Sequence, residues 1–105
     1  MDDDYGAGKG RRMPTEAVHA GEMHDASGAH IDPVHMTSTY VFEDSEAIRA
    51  WGAGETDAHV YSRVANPNRE ALARKLAALE GLGMHKPVGA EIFASGMGAV
   101  SAAIM

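Results

Sequence analysis

Helical periodicity along this chain is confined to a few stretches, and the strongest of them lies just past the middle. In "NREALARKLAALEG", Leu72, Leu76 and Leu79 recur at i, i+4 and i+7, the stripe of an amphipathic helix that closes on Gly81. Asn68, after the break at Pro67, reads as its N-cap. Upstream, "SEAIRAWGAGE" puts Ile48 and Trp51 three apart on one face, with Asp44 or Ser45 as cap, Glu46 in the first turn, and Gly52 and Gly54 as the stop. Residues 90–94 (AEIFA) read as a short strand, and "SGMGAVSAAIM" as a tight turn entering a second good helix. That helix reaches Met105 with no capping signal, so a truncated chain is expected. From Pro14 to Phe42 the apolar residues are scattered among Gly, Asp, His, Ser and Thr, with one strand-like alternation at 37–42. Almost thirty residues with so little structure of their own are unusual inside a compact domain, and they are expected to lie along another surface. Residues 1–13 (MDDDYGAGKGRRM) read as a solvated, disordered tail.

Composition sharpens that picture. Only 17 of 105 residues are Leu, Ile, Val or Phe, whereas 19 are Ala. This falls below the roughly 20% at which a charged chain struggles to fold alone. Alanine buries little area, so the apolar gain per ordered residue is small, and more protein is expected around this segment. A net charge of −6 leaves no basic face for nucleic acid. The absence of Cys removes disulfides, thiol chemistry and Cys-based zinc sites together. An acidic start (Met1-Asp2-Asp3-Asp4) is unlike a signal peptide, and no apolar run approaches the ~20 residues of a membrane span. A soluble cytoplasmic protein is expected.

Two places carry candidate chemistry. In "EIFASGMGAVSAA", small residues at a turn into a helix let backbone N–H groups approach an anion, and the helix dipole adds positive potential there. Gly96 and Gly98 suit a phosphate, although a turn of this kind also takes glycine for geometry alone. The same stretch reads as Gly-x-Gly-x-x-Ser, close to a dinucleotide fingerprint that would need an acidic residue about 20 positions further on. A nucleophile elbow around Ser95 fails because position 93 is Phe. The second place is "YSRVANPN". If residues 60–64 are extended, Tyr61 and Arg63 point to one side, where a phenol and a guanidinium could donate to one phosphate. A solvent-facing pair is the plainer alternative. "GAGKG" at 6–10 lacks P-loop spacing. The six His include pairs five apart (His19/His24, His30/His35), which is neither helical nor strand ligand spacing, so no metal site is expected.

In order, "TEAVHAG", "GAHIDPVHMTSTYVFED", "YSRVANPN", "LAALEG" and "ASGMGAVSA" resemble the beginning of the transsulfuration, or Cys/Met-metabolism, family of pyridoxal-phosphate enzymes, over residues 15–105. The family includes cystathionine γ-synthase, cystathionine γ-lyase, methionine γ-lyase and O-acetylhomoserine sulfhydrylase. The resemblance implies an α/β fold. Residues 14–60 would be an extended N-terminal arm with a short helix, and 61–105 the incomplete start of the large domain of a fold-type-I pyridoxal-phosphate-dependent transferase. It implies that Tyr61 and Arg63 reach across a subunit interface to the cofactor phosphate of a neighbouring protomer. Gly96 and Met97 would present backbone N–H groups to the phosphate held by their own. It further implies a homo-oligomer, a dimer of dimers, acting on a small amino-acid substrate by γ-elimination or γ-replacement.

Two departures stand out: His35 where the family usually has Tyr, and Asn68 where Asn-Pro-Thr is common. The second is expected to be benign because Asn caps helices as well as Thr does. The family's imine-forming lysine, ring-stacking aromatic and pyridine-nitrogen acid have no counterpart here. Lys9, Lys75 and Lys86 do not match the lysine's context, and Lys75 reads as a solvated position opposite the Leu stripe. No catalytic residue is therefore assigned, and the 105 residues alone are expected to be inactive. A nucleotide-binding domain start and a non-catalytic interaction module are the alternatives.

Overall fold

In a computed structural model of the chain, residues 12–105 are described. The expected tail, including Lys9 and the "GAGKG" stretch, falls almost wholly outside them. Four helices follow in order: α1 Met13–His19, α2 Ser45–Gly52, α3 Pro67–Glu80 and α4 Gly96–Ile104.

Local chemistry explains each of them. α3 begins where Asn66, in extended conformation, accepts the N–H groups of Asn68 and Arg69 on its side-chain oxygen, and Pro67 supplies a first helical residue that needs no N–H partner. Asn66, not Asn68, is therefore the cap. Proline fits best just inside a helix, which pushes the cap one residue ahead of it. α2 is capped by Asp44, whose carboxylate accepts the Ala47 N–H at 2.8 Å. Arg49 holds its far end by bonding Glu46 and Glu55 together, and those two carboxylates raise the guanidinium pKa. α4 starts at Ser95, whose hydroxyl accepts the Gly98 N–H at 3.0 Å.

α1 lies in a stretch where little regular structure was expected. Its signals are slight: Pro14 and Glu16 in the first turn, and Met13 and Val18 as its large apolar residues, both exposed. Tertiary packing supplies the rest. Among the described residues α1 and α3 are the helices that pack together. Gly21, at φ +76°, lies against the backbone of Ala71 and Lys75. Lys75 donates to the carbonyls of Ala17 and Val18 at 3.2 Å each, satisfying acceptors that the end of α1 would leave open. Lys75 is thus a helix cap, not a solvated side chain. Most of the Leu stripe is left open, with Leu72 and Leu76 40% exposed or more and Leu79 half-buried.

The β half of the α/β expectation is not formed as strands among the described residues. Residues 90–94 make no ladder, and strand pairing at 37–42 is reduced to one antiparallel bridge, Thr39 with Tyr61. A strand exists only through its partner, and no described segment pairs with 90–94. The shortage of core is equally plain. Ala20 and Glu16 are the buried residues with side chains, and no large side chain is fully buried among the described residues. The accessible surface is 8500 Å², against about 5700 Å² for a folded monomer of this mass.

Candidate phosphate-binding site

The Tyr61–Arg63 segment turns instead of extending. Tyr61 sits at the bridge, and its carbonyl accepts the N–H groups of Val64 (2.9 Å) and Ala65 (3.0 Å), which curls residues 61–65. Tyr61 and Arg63 still lie together, because the guanidinium carbon of Arg63 rests 5.0 Å from the centroid of the Tyr61 ring. Both residues are exposed. Neither the phenol nor the guanidinium donates to an acceptor among the described residues, so both are free to take an outside ligand.

Polar side chains hold that turn. Arg69 reaches back from α3 to the carbonyls of Arg63 and Val64. The Asn66 amide donates to the Ser62 hydroxyl, the Tyr40 hydroxyl and the His35 carbonyl, at 3.2–3.3 Å. Ser62 in turn donates to the Thr37 carbonyl. Tyr40 packs beside His59, with ring centroids 5.3 Å apart, and His59 Nε2 bonds Glu70 at 3.0 Å. Asn68 uses its side chain on the arm. Its amide donates to the Pro33 carbonyl and its oxygen accepts the His35 N–H, both at 2.8 Å. His35 has a half-buried ring whose Nδ1 meets no partner. In the sequence Asn68 is visible only as a helix-start signal, and Asn66 only as part of the motif. Their second use, as clamps on a distant segment, has no local signature.

The second phosphate-binding candidate is the start of α4. Ser95 satisfies Gly98, and the N–H groups of Gly96 and Met97 have no acceptor among the described residues. A Cβ added at Gly96 would meet nothing within 4 Å, so the space beside Gly96 is open. Gly98 is tighter, since a Cβ there would lie 3.2 Å from the Ser95 hydroxyl. Open N–H groups at a helix start fit a phosphate, as do the free donors of Tyr61 and Arg63. Among the described residues no group of three or more His, Asp or Glu is gathered to hold a metal, and no helix is long and apolar enough to cross a membrane.

Comparison with known proteins bears on these donors. Residues 14–105 match the family model described as Cys/Met metabolism PLP-dependent enzyme. The chain is 40% identical over 90 residues to an L-methionine gamma-lyase of Porphyromonas gingivalis, covering 86% of this chain and 21% of that protein. It is 37% identical over 101 residues to an L-methionine gamma-lyase of Pseudomonas putida, covering 95% of this chain and 24% of that protein. Against an O-succinylhomoserine sulfhydrylase of Pseudomonas aeruginosa the identity is 36% over 111 residues, covering 100% of this chain and 26% of that protein. The chain thus spans about a fifth to a quarter of the length of these curated relatives.

Proposed function

The chain belongs to the Cys/Met-metabolism family of pyridoxal-phosphate-dependent enzymes, a fold-type-I family, and on that premise we propose that its chemistry here is the gripping of cofactor phosphate at two separate places. Tyr61 and Arg63 donate to the phosphate of a neighbouring protomer, and the Gly96 and Met97 N–H groups cradle the phosphate held by their own. Residues 14–60 act as the arm that lies on a partner subunit of a homotetramer, and 61–105 open the large domain. When bound, pyridoxal phosphate supplies an electron sink for the bonds of an amino-acid substrate. The complete enzyme acts on a sulfur amino acid or an activated homoserine by γ-elimination or γ-replacement. The 105 residues alone, without an imine-forming lysine, are inactive.

The observation that carries this reading is the stacked Tyr61–Arg63 pair, exposed, with its donors unspent. In a chain of net charge −6, a phosphate needs local positive charge, and Arg63 with the α4 helix start supplies it. The exposed apolar residues of the arm, Ile31, Val34, Met36 and Val41, suit a segment that another subunit covers. The nucleotide-binding and interaction-module alternatives find no support in the family match.

Arg63→Ala in the full-length protein tests the assignment. Loss of a charge-assisted hydrogen bond predicts cofactor binding weaker by about ten- to hundredfold, read by titrating apoenzyme with pyridoxal phosphate. Unchanged affinity would remove Arg63 from the site.

A further inference from the structure

Asn68 stands apart from the phosphate donors but controls the frame that carries them. Its side chain pairs with the Pro33 carbonyl and the His35 N–H, groups of residues i and i+2 on the arm. These are the groups that an adjacent strand would bond, so the Asn68 amide takes the place of a strand residue. Four residues along the arm from His35, the Thr39–Tyr61 bridge closes the other end, through Tyr40 N–H to Val60 carbonyl (3.2 Å) and Ser62 N–H to Ser38 carbonyl (2.8 Å). Residues 33–40 and 60–68 therefore form one closed frame, pinned by the bridge at one end and by Asn68 at the other. Within it, Asn66 and Ser62 supply the remaining cross-links. Tyr61 and Arg63 project from this frame.

We infer that Asn68 is a positioning residue for cofactor binding, holding the arm in the register that aims Tyr61 and Arg63 at the phosphate. This rests on the proposed role of those two residues. Asn68 itself touches neither of them, and its effect passes through His35, Thr39 and the bridge. Asparagine divides the task between two atoms, its amide nitrogen donating to the Pro33 carbonyl and its oxygen accepting the His35 N–H, whereas a threonine would have to make both bonds through one shorter-reaching hydroxyl.

The test compares pyridoxal-phosphate affinity of the full-length apoenzyme across variants. Asn68→Ala should weaken binding about fivefold by letting the donors drift from their aligned geometry. Asn68→Asp keeps the acceptor for His35 and loses the donor to Pro33. It should weaken binding as well, and serves if the alanine variant does not fold. In a background already carrying Tyr61→Phe and Arg63→Ala, adding Asn68→Ala should change affinity by less than about twofold, because a residue acting through those donors has nothing left to position. An equal loss in both backgrounds would make Asn68 merely structural and overturn the inference, as would unchanged affinity in both single variants. If Tyr61→Phe with Arg63→Ala weakens binding and Asn68→Ala does not, only the inference fails. If the donor variants have no effect, the phosphate assignment fails and takes the inference with it.

Discussion

Gly21→Ala should loosen the docking of α1 on α3 far more than an ordinary glycine substitution would. Gly21 holds φ +76°, a conformation that costs an L residue about 1–2 kcal/mol. A Cβ there would also press into the Ala71 carbonyl oxygen and lie 3.1 Å from the Lys75 nitrogen. Both are backbone atoms of a helix and cannot rotate away, so α1 must retreat from α3 by about 1 Å, an overpacking cost of about 1–3 kcal/mol. Gly28 provides the control. It has φ +70° and would meet nothing within 4 Å, so Gly28→Ala carries the conformational cost alone. Any gain from a stiffer unfolded chain is common to both variants and drops out of the comparison. Hydrogen–deuterium exchange of the α1 amides in the full-length protein reads the local opening directly. The difference between the variants should be about 1–3 kcal/mol, seen as exchange faster by about five- to a hundredfold in Gly21→Ala than in Gly28→Ala. Equal exchange in the two would show that the close approach of Gly21 to α3 does not hold α1 in place.

Two further outcomes follow from the same bonds and burial. Asn66→Ala removes the α3 cap and the cross-links to His35, Tyr40 and Ser62 together. It should cost about 2 kcal/mol or more, so a urea midpoint equal to wild type would refute the capping account. The isolated 105-residue chain, with so little buried, should melt without a sharp transition when followed by circular dichroism. A cooperative melt of a monomer would revive the interaction-module alternative.

What the sequence discloses is mostly local. α2, α3 and α4 announce themselves through a capping Asp44, the break at Pro67 and the Ser95 turn, because caps and breakers act within one helical turn, although the α3 cap is Asn66 and not the Asn68 that the sequence suggests. The features that escape such reading depend on residues far apart in the chain. α1 persists through its contact with Ala71 and through Lys75, which acts on residues 57 and 58 positions upstream. Asn68 looks interchangeable with threonine when judged as a cap, and its real partners lie 33 and 35 residues away. Tyr61 and Arg63 come together as the motif suggests, but through a turn and a ring contact, not through strand alternation. The motif specified the pair, and the backbone reached it by another route.

The forces in this segment divide in a way that bears on function. The arm is fixed to the Tyr61 turn almost wholly by hydrogen bonds, while its apolar side chains face outward: Val34 is 74% exposed, Met36 92% and Val41 99%. Each such bond contributes only about 0.5–1.5 kcal/mol net, but it is directional. Apolar burial would stabilise more and aim less, since it tolerates sliding. A pair of donors with the proposed task of meeting a phosphate would gain from the directional kind. The apolar residues, unused for holding the arm to its own chain, remain available to a surface supplied from elsewhere. A segment built in this way is suited to orient ligand groups from within while another surface covers its apolar side, as the proposed grip on a neighbouring protomer's cofactor requires.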